Sequence, residues 1–171
     1  MKTKRIYLII AVLAVIVLSV CLGGCAMNDD ESAEKKPLEA VVEDLYNGIG
    51  VPAYDTLKLD KSTFEFFTFI PYEEGLSAVA ADALVNITPH SMVVIYAPAG
   101  NGAELAHHVE ENADPNKWLC VKADAVRVAY TDHYVVLVMS DEVIANGIIE
   151  NFKALSLELD GMEMNLLAPG I

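Results

Sequence analysis

Positive charge is scarce in this chain. Lys and Arg together number 11 of 171 residues against 25 Asp and Glu, a formal net charge of −14. Without a basic stripe there is nothing to neutralise a row of phosphates, which excludes nucleic-acid binding, and the field repels anionic lipid headgroups. Cysteine is also scarce. Only Cys21, Cys25 and Cys120 are present, and with the first two in the N-terminal segment no disulfide framework can hold the rest of the chain. Glycine-rich phosphate loops are missing, since Gly100-Asn101-Gly102 is too short for one. So is the Gly-x-Ser-x-Gly elbow of a serine hydrolase. The only long apolar run is the first one, residues 6–22.

That run fixes an address before any fold is considered. Lys2, Lys4 and Arg5 form a cationic start, residues 6–22 supply the apolar stretch, and Leu22-Gly23-Gly24-Cys25 closes it. A transmembrane helix needs about 20 apolar residues, so the run is short for a span, and the acidic Asp29, Asp30 and Glu31 after it are not a cytoplasmic stop signal. Small residues at Gly23 and Gly24 suit a peptidase site. The segment resembles the bacterial lipoprotein lipobox, with Leu22, Gly23 and Gly24 as the peptidase recognition residues. The resemblance implies that residues 1–24 are a signal peptide and that Cys25 receives diacylglyceryl and palmitate-type acyl chains. Cys21 follows the branched Val20 and fits that pattern poorly. The expected location is the outer face of the cell membrane, reached through the lipid on Cys25. Processing would remove three cations and no acid, leaving the mature chain more acidic still. Residues 25–37 then read as a flexible acidic tether, with a coil reach of about 20 Å.

The expected globular domain is 38–171. Pro37 precedes a helix in which Leu38, Val41, Val42, Leu45, Tyr46 and Ile49 fall on one face. Ser62-Thr63-Phe64-Glu65 has the spacing of a capping box and predicts a short helix ended by Pro71. From residue 76 the period changes to two. Val79 to Ile87 alternates, Thr88-Pro89-His90-Ser91 supplies a turn, and Met92 to Ala97 is a second, more buried strand. Residues 103–112 read as a helix. The stretches 124–130 and 134–139 read as a hairpin around Thr131-Asp132-His133. Ser140 or Asp141 caps a last helix carrying Val143, Ile144, Ile148, Ile149, Phe152 and Leu155. A shift of 42 residues lays one hairpin on the other, so the pattern predicts two strand-strand-helix units. The expected class is α+β: a two-layer, four-stranded, mainly antiparallel sheet covered on one face by helices, with an added N-terminal helix. The apolar tail from Leu157 has no clean period and is left unassigned.

The lipobox, the tether, the first helix with Asp44-Leu45-Tyr46, the Asn86 to Ile95 hairpin and the strand Tyr134-Val135-Val136-Leu137-Val138 together resemble small Gram-positive lipoproteins carrying an uncharacterised conserved domain. The resemblance covers roughly residues 38–155. It implies the address and the architecture and carries no activity.

Five candidate features remain. His107-His108-Val109-Glu110-Glu111 places His107 and Glu111 on one helix face, a weak two-ligand start for a metal site that lacks the His-Glu-x-x-His spacing. His90 and His133 both fall in hairpin turns, where they are candidates for sharing one end of the sheet. Ser91 beside His90 and Ser140 near His133 read as a turn residue and a helix cap. Cys120, next to Trp118 and Leu119, reads as a buried thiol at the start of a strand. Phe64, Phe66, Phe67 and Phe69 crowd into six residues and are either one end of the core or a partner contact. These features imply no cofactor and no catalytic residue. The expected function is a non-catalytic, lipid-anchored interaction or accessory domain with an envelope protein partner, the alternative being a small-ligand or metal-ion binding lipoprotein.

Overall fold

A computed structural model describes residues 35–85 and 87–167. The expected signal peptide, the lipobox-like Leu22-Gly23-Gly24 and Cys25 lie outside the described residues, as do most of the expected tether and residues 168–171. The described residues from Lys36 onward form one compact unit. In chain order it contains α1 (Leu38–Tyr46), β1 (Tyr54–Lys58), α2 (Phe64–Thr68), β2 (Ser77–Ala83), β3 (Ser91–Tyr96), α3 (Gly102–Asn112), β4 (Ala125–Tyr130), β5 (Tyr134–Ser140), α4 (Glu142–Asp160) and β6 (Asn165–Leu166).

The class is α+β, with one antiparallel sheet of six strands in the order β1-β2-β3-β5-β4-β6. Two strands more than expected are present. β1 falls in a stretch read as a loop, because four of its five residues are exposed and an edge strand carries no apolar alternation. β6 falls in the unassigned tail. The expected two-layer arrangement is also corrected. Val79, Ala81, Met92, Val94, Val136 and Val138 point to one face, where they meet α1 and α4. Ala78, Ala80, Val93, Ile95, Val135 and Leu137 point to the other, where they meet α2 and α3. Helices cover both faces. That is why β3 and β5, at the centre, are apolar at nearly every position rather than at alternate ones.

The strand-strand-helix repeat is only half present. A shift of 42 carries Val93 and Val94 onto Val135 and Val136, which keep the same faces. It does not carry β2 onto β4, because the β2–β3 connection spans residues 84–90 whereas the β4–β5 turn needs only 131–133. The helices diverge as well, α3 lying on one face and α4 on the other.

Local boundaries follow local chemistry. The carboxylate of Asp60 accepts from the backbone N–H groups and the hydroxyls of Ser62 and Thr63, so Asp60 starts α2 in place of the expected capping box. Asp141 caps α4, accepting from Val143 and Ile144 N–H at 3.0 Å each. Val143, expected inward, is exposed at that first turn. Gly102 opens α3 against the β4–β5 turn. A Cβ at that position would stand 2.1 Å from the Thr131 carbonyl oxygen, so only glycine lets the two backbones meet.

Candidate functional site

Polar side chains gather at one end of the sheet, where β2 and β5 finish and β3 begins. Asp82 lies opposite Ser91 and Ser91 opposite Met139. The connections 84–90 and 113–124 and the start of α4 meet here, at the His90 end. Adjacent residues of a strand point to opposite faces. Consequently His90 and Ser91, one residue apart, seed two clusters back to back.

On the α1/α4 face, His90 is fully buried between two hydroxyls. Its Nε2 lies 2.8 Å from the Tyr46 hydroxyl and its Nδ1 lies 2.9 Å from Ser140 Oγ. Burial drives the His90 pKa below its ordinary value, with the nearby Asp82 and Asp141 charges opposing that drop. Burial likewise raises the Tyr46 phenol. A serine 2.9 Å from an imidazole has the spacing of a nucleophile and its base. Ser140 is 1% exposed and His90 0%, so no substrate reaches either. The network serves as a satisfied polar joint between α1, β3 and β5.

On the α2/α3 face, Lys117 reaches in from the 113–124 connection. Its Nζ donates to Ser91 Oγ at 2.8 Å and to the two Asp82 oxygens at 3.2 and 3.3 Å. The rings of Phe67 and Trp118 stand 5.1 Å from the ammonium and that of Phe66 5.9 Å, all within cation–π range. Burial lowers the Lys117 pKa while Asp82 opposes it. The Lys117 Nζ is committed to Asp82 and to Ser91 Oγ at once. The cluster pins a long connection onto the sheet.

The sequence-selected residues are thus regrouped. Ser140 partners His90 and not His133. His133 lies at the far end of the sheet, where its Nδ1 is 2.6 Å from Asp160 Oδ1 and Tyr96 stacks on its ring. The four phenylalanines divide. Phe64 is fully buried, Phe67 and Phe69 are half-buried against the core, and Phe66 is 65% exposed. Phe69 ends α2 with φ at 64°, a left-handed conformation more often given to glycine. Cys120, expected to be buried, is exposed. His107, His108 and Glu111 face solvent on α3, and among the described residues no three His, Cys, Asp or Glu side chains come together as a metal site needs. Lys117 and Asp82 were missed. The available signals were an acid inside the apolar run Ala81-Asp82-Ala83 and a lysine next to the only tryptophan.

The His90 end also exposes several apolar side chains. Leu84, Val85 and Ile87 are 63%, 54% and 73% exposed, and Leu119, two residues after Lys117, is fully exposed. With Phe66 they lie on segments that converge on the Lys117–Asp82 cluster. The chain enters the compact unit at the opposite end. Lys36 pairs with Glu158 near the end of α4, beside the His133–Asp160 pair.

Comparison of the chain with protein families, with curated proteins and with solved structures gives no match.

Proposed function

We propose that this protein is a non-catalytic, lipid-anchored interaction domain on the outer face of the cell membrane, tethered through Cys25 and binding another envelope protein through the His90 end of its sheet. The observation that carries the reading is the exposed apolar set Phe66, Leu84, Val85, Ile87 and Leu119 gathered at one end of the sheet. Solvent-facing apolar residues clustered on loops and on the short α2 favour a contact surface over chance exposure. The sealed Ser140–His90 pair and the charge-paired Lys117 support a non-catalytic role.

Two measurements test it. The intact mass of membrane-extracted protein should correspond to a chain beginning at an acylated Cys25; an unmodified Cys25 still joined to residues 1–24 refutes the tether. Phe66→Ala should weaken capture of the envelope partner by about 2 kcal/mol or more while costing at most about 1.5 to 2 kcal/mol of stability. Undiminished capture by both Phe66→Ala and Leu119→Asp refutes the contact surface.

A further inference from the structure

The stretch Lys117-Trp118-Leu119 is turned against the ordinary preference for burial. Apolar side chains go inside and lysines outside, yet the Lys117 side chain is only 6% exposed while Leu119 is fully exposed. A lysine is seldom buried unless it is paired. Here Asp82 and Ser91 take the Nζ, and the rings of Phe66, Phe67 and Trp118 stand around it. Asp82 and Ser91 face each other in the β2–β3 register, at the base of the connection that carries Leu84, Val85 and Ile87. Strand pairing already closes that base. What Lys117 adds is the place of a second segment beside it.

Two kinds of bond act on the 113–124 connection. The Asn116 and Lys117 N–H groups donate to Asp114, and the Ala123 N–H donates to the Pro115 carbonyl at 3.1 Å. These bonds shape the connection without tying it to the sheet. At its two ends Ala113 and Ala123 pack against the α2/α3 side. Between them the Lys117 Nζ makes the polar tie to β2 and β3, and Trp118 packs against the core next to it. With Lys117 and Trp118 directed inward, Leu119 is left in solvent.

We infer that Lys117 is the positioning residue of the contact surface: by turning inward onto Asp82 and Ser91 it holds Leu119 outward, at the end of the sheet that also exposes Phe66, Leu84, Val85 and Ile87. The three segments bearing those residues, α2, 84–90 and 113–124, meet at one nitrogen. A fold selected for stability alone would gain by exchanging the two side chains, burying the leucine and releasing the lysine to water. The inference rests on the reading of that end as a contact surface and names the residue that arranges it.

The test uses the full-length protein in detergent micelles with Asp82→Ala and Lys117→Ala, and it needs no partner. Trp118 is the only tryptophan of the chain, so its emission reports on the connection directly. In both variants the emission should shift to the red and become more open to acrylamide quenching. The Ala123 amide should exchange at least about tenfold faster relative to the Val94 and Val136 amides of the central strands. Because both variants break one tie, their effects should not add in the double variant. Unchanged Trp118 emission, Ala123 exchange that moves only in step with Val94 and Val136, or additive effects overturn the inference. Should Lys117→Ala fail to fold, Asp82→Ala alone carries the emission and exchange comparisons. Leu119→Asp separates this from the functional reading: it should abolish partner capture while leaving Trp118 emission and Ala123 exchange as in the parent, so either can fail without the other.

Discussion

Replacing Phe64 and Phe66 separately by alanine should have very different costs, although the two rings are two residues apart on one short helix. Phe64 is fully buried against Leu59, Ile70 and the α3 side chains, and its ring meets Tyr72 edge-to-face with centroids 5.4 Å apart. Truncating such a ring forfeits its transfer energy and leaves a cavity, about 3 to 5 kcal/mol, a figure to which the aromatic pair adds. For a unit of this size that lowers the melting temperature by about 10 to 20 °C. Phe66 is 65% exposed, so about a third of its surface is covered. At about 25 cal/mol per Å² over about 70 Å², its loss costs at most about 1.5 to 2 kcal/mol, and less against a realistic unfolded chain. Urea unfolding of a soluble fragment beginning at Lys36, monitored by circular dichroism, measures both. Equal losses, or a Phe64→Ala cost below about 2 kcal/mol, would refute the assignment of one ring to the core and the other to the surface.

Val94→Asp should abolish cooperative folding of the same fragment, because it puts an unpaired carboxylate in a strand covered on both faces, at several kcal/mol against a total of about 5 to 15; a cooperative melt near the parent temperature speaks against the three-layer core. Gly102→Ala should destabilise by more than about 2 kcal/mol, whereas Gly50→Ala, with open space around its Cβ position, should change stability by less than about 1 kcal/mol, and equal denaturation midpoints for the two would contradict the close approach at Thr131. Stability should also fall as pH drops below about 6.5. The folded pKa of His90 lies under its unfolded value, so protonation favours the unfolded chain, and the contribution is fully present above the unfolded pKa and lost as pH falls through the folded one. Denaturation midpoints of the parent and of His90→Gln between pH 7.5 and about 5 should diverge in slope, and parallel curves would show that His90 does not titrate with unfolding.

Much of the secondary structure was legible in residue order, because its signals are local. The face of α1, the apolar runs of β3 and β5, the Thr131-Asp132-His133 turn and the Asp141 cap each depend on residues within a few positions of one another. Layer count was not legible. A strand buried on both faces reads as an apolar run wherever its helices lie, and only the tertiary structure placed α2 and α3 on one side and α1 and α4 on the other. Edge strands escaped for the opposite reason, since β1 and β6 gain their place by pairing and not by burial, and pairing leaves no period in a sequence. The polar clusters likewise join residues far apart in the chain, with Tyr46, His90 and Ser140 on one face and Asp82, Ser91 and Lys117 on the other. No local spacing brings Ser140 to His90 and not to the nearer His133. Strand register does so, by setting β3 and β5 antiparallel with the start of one beside the finish of the other.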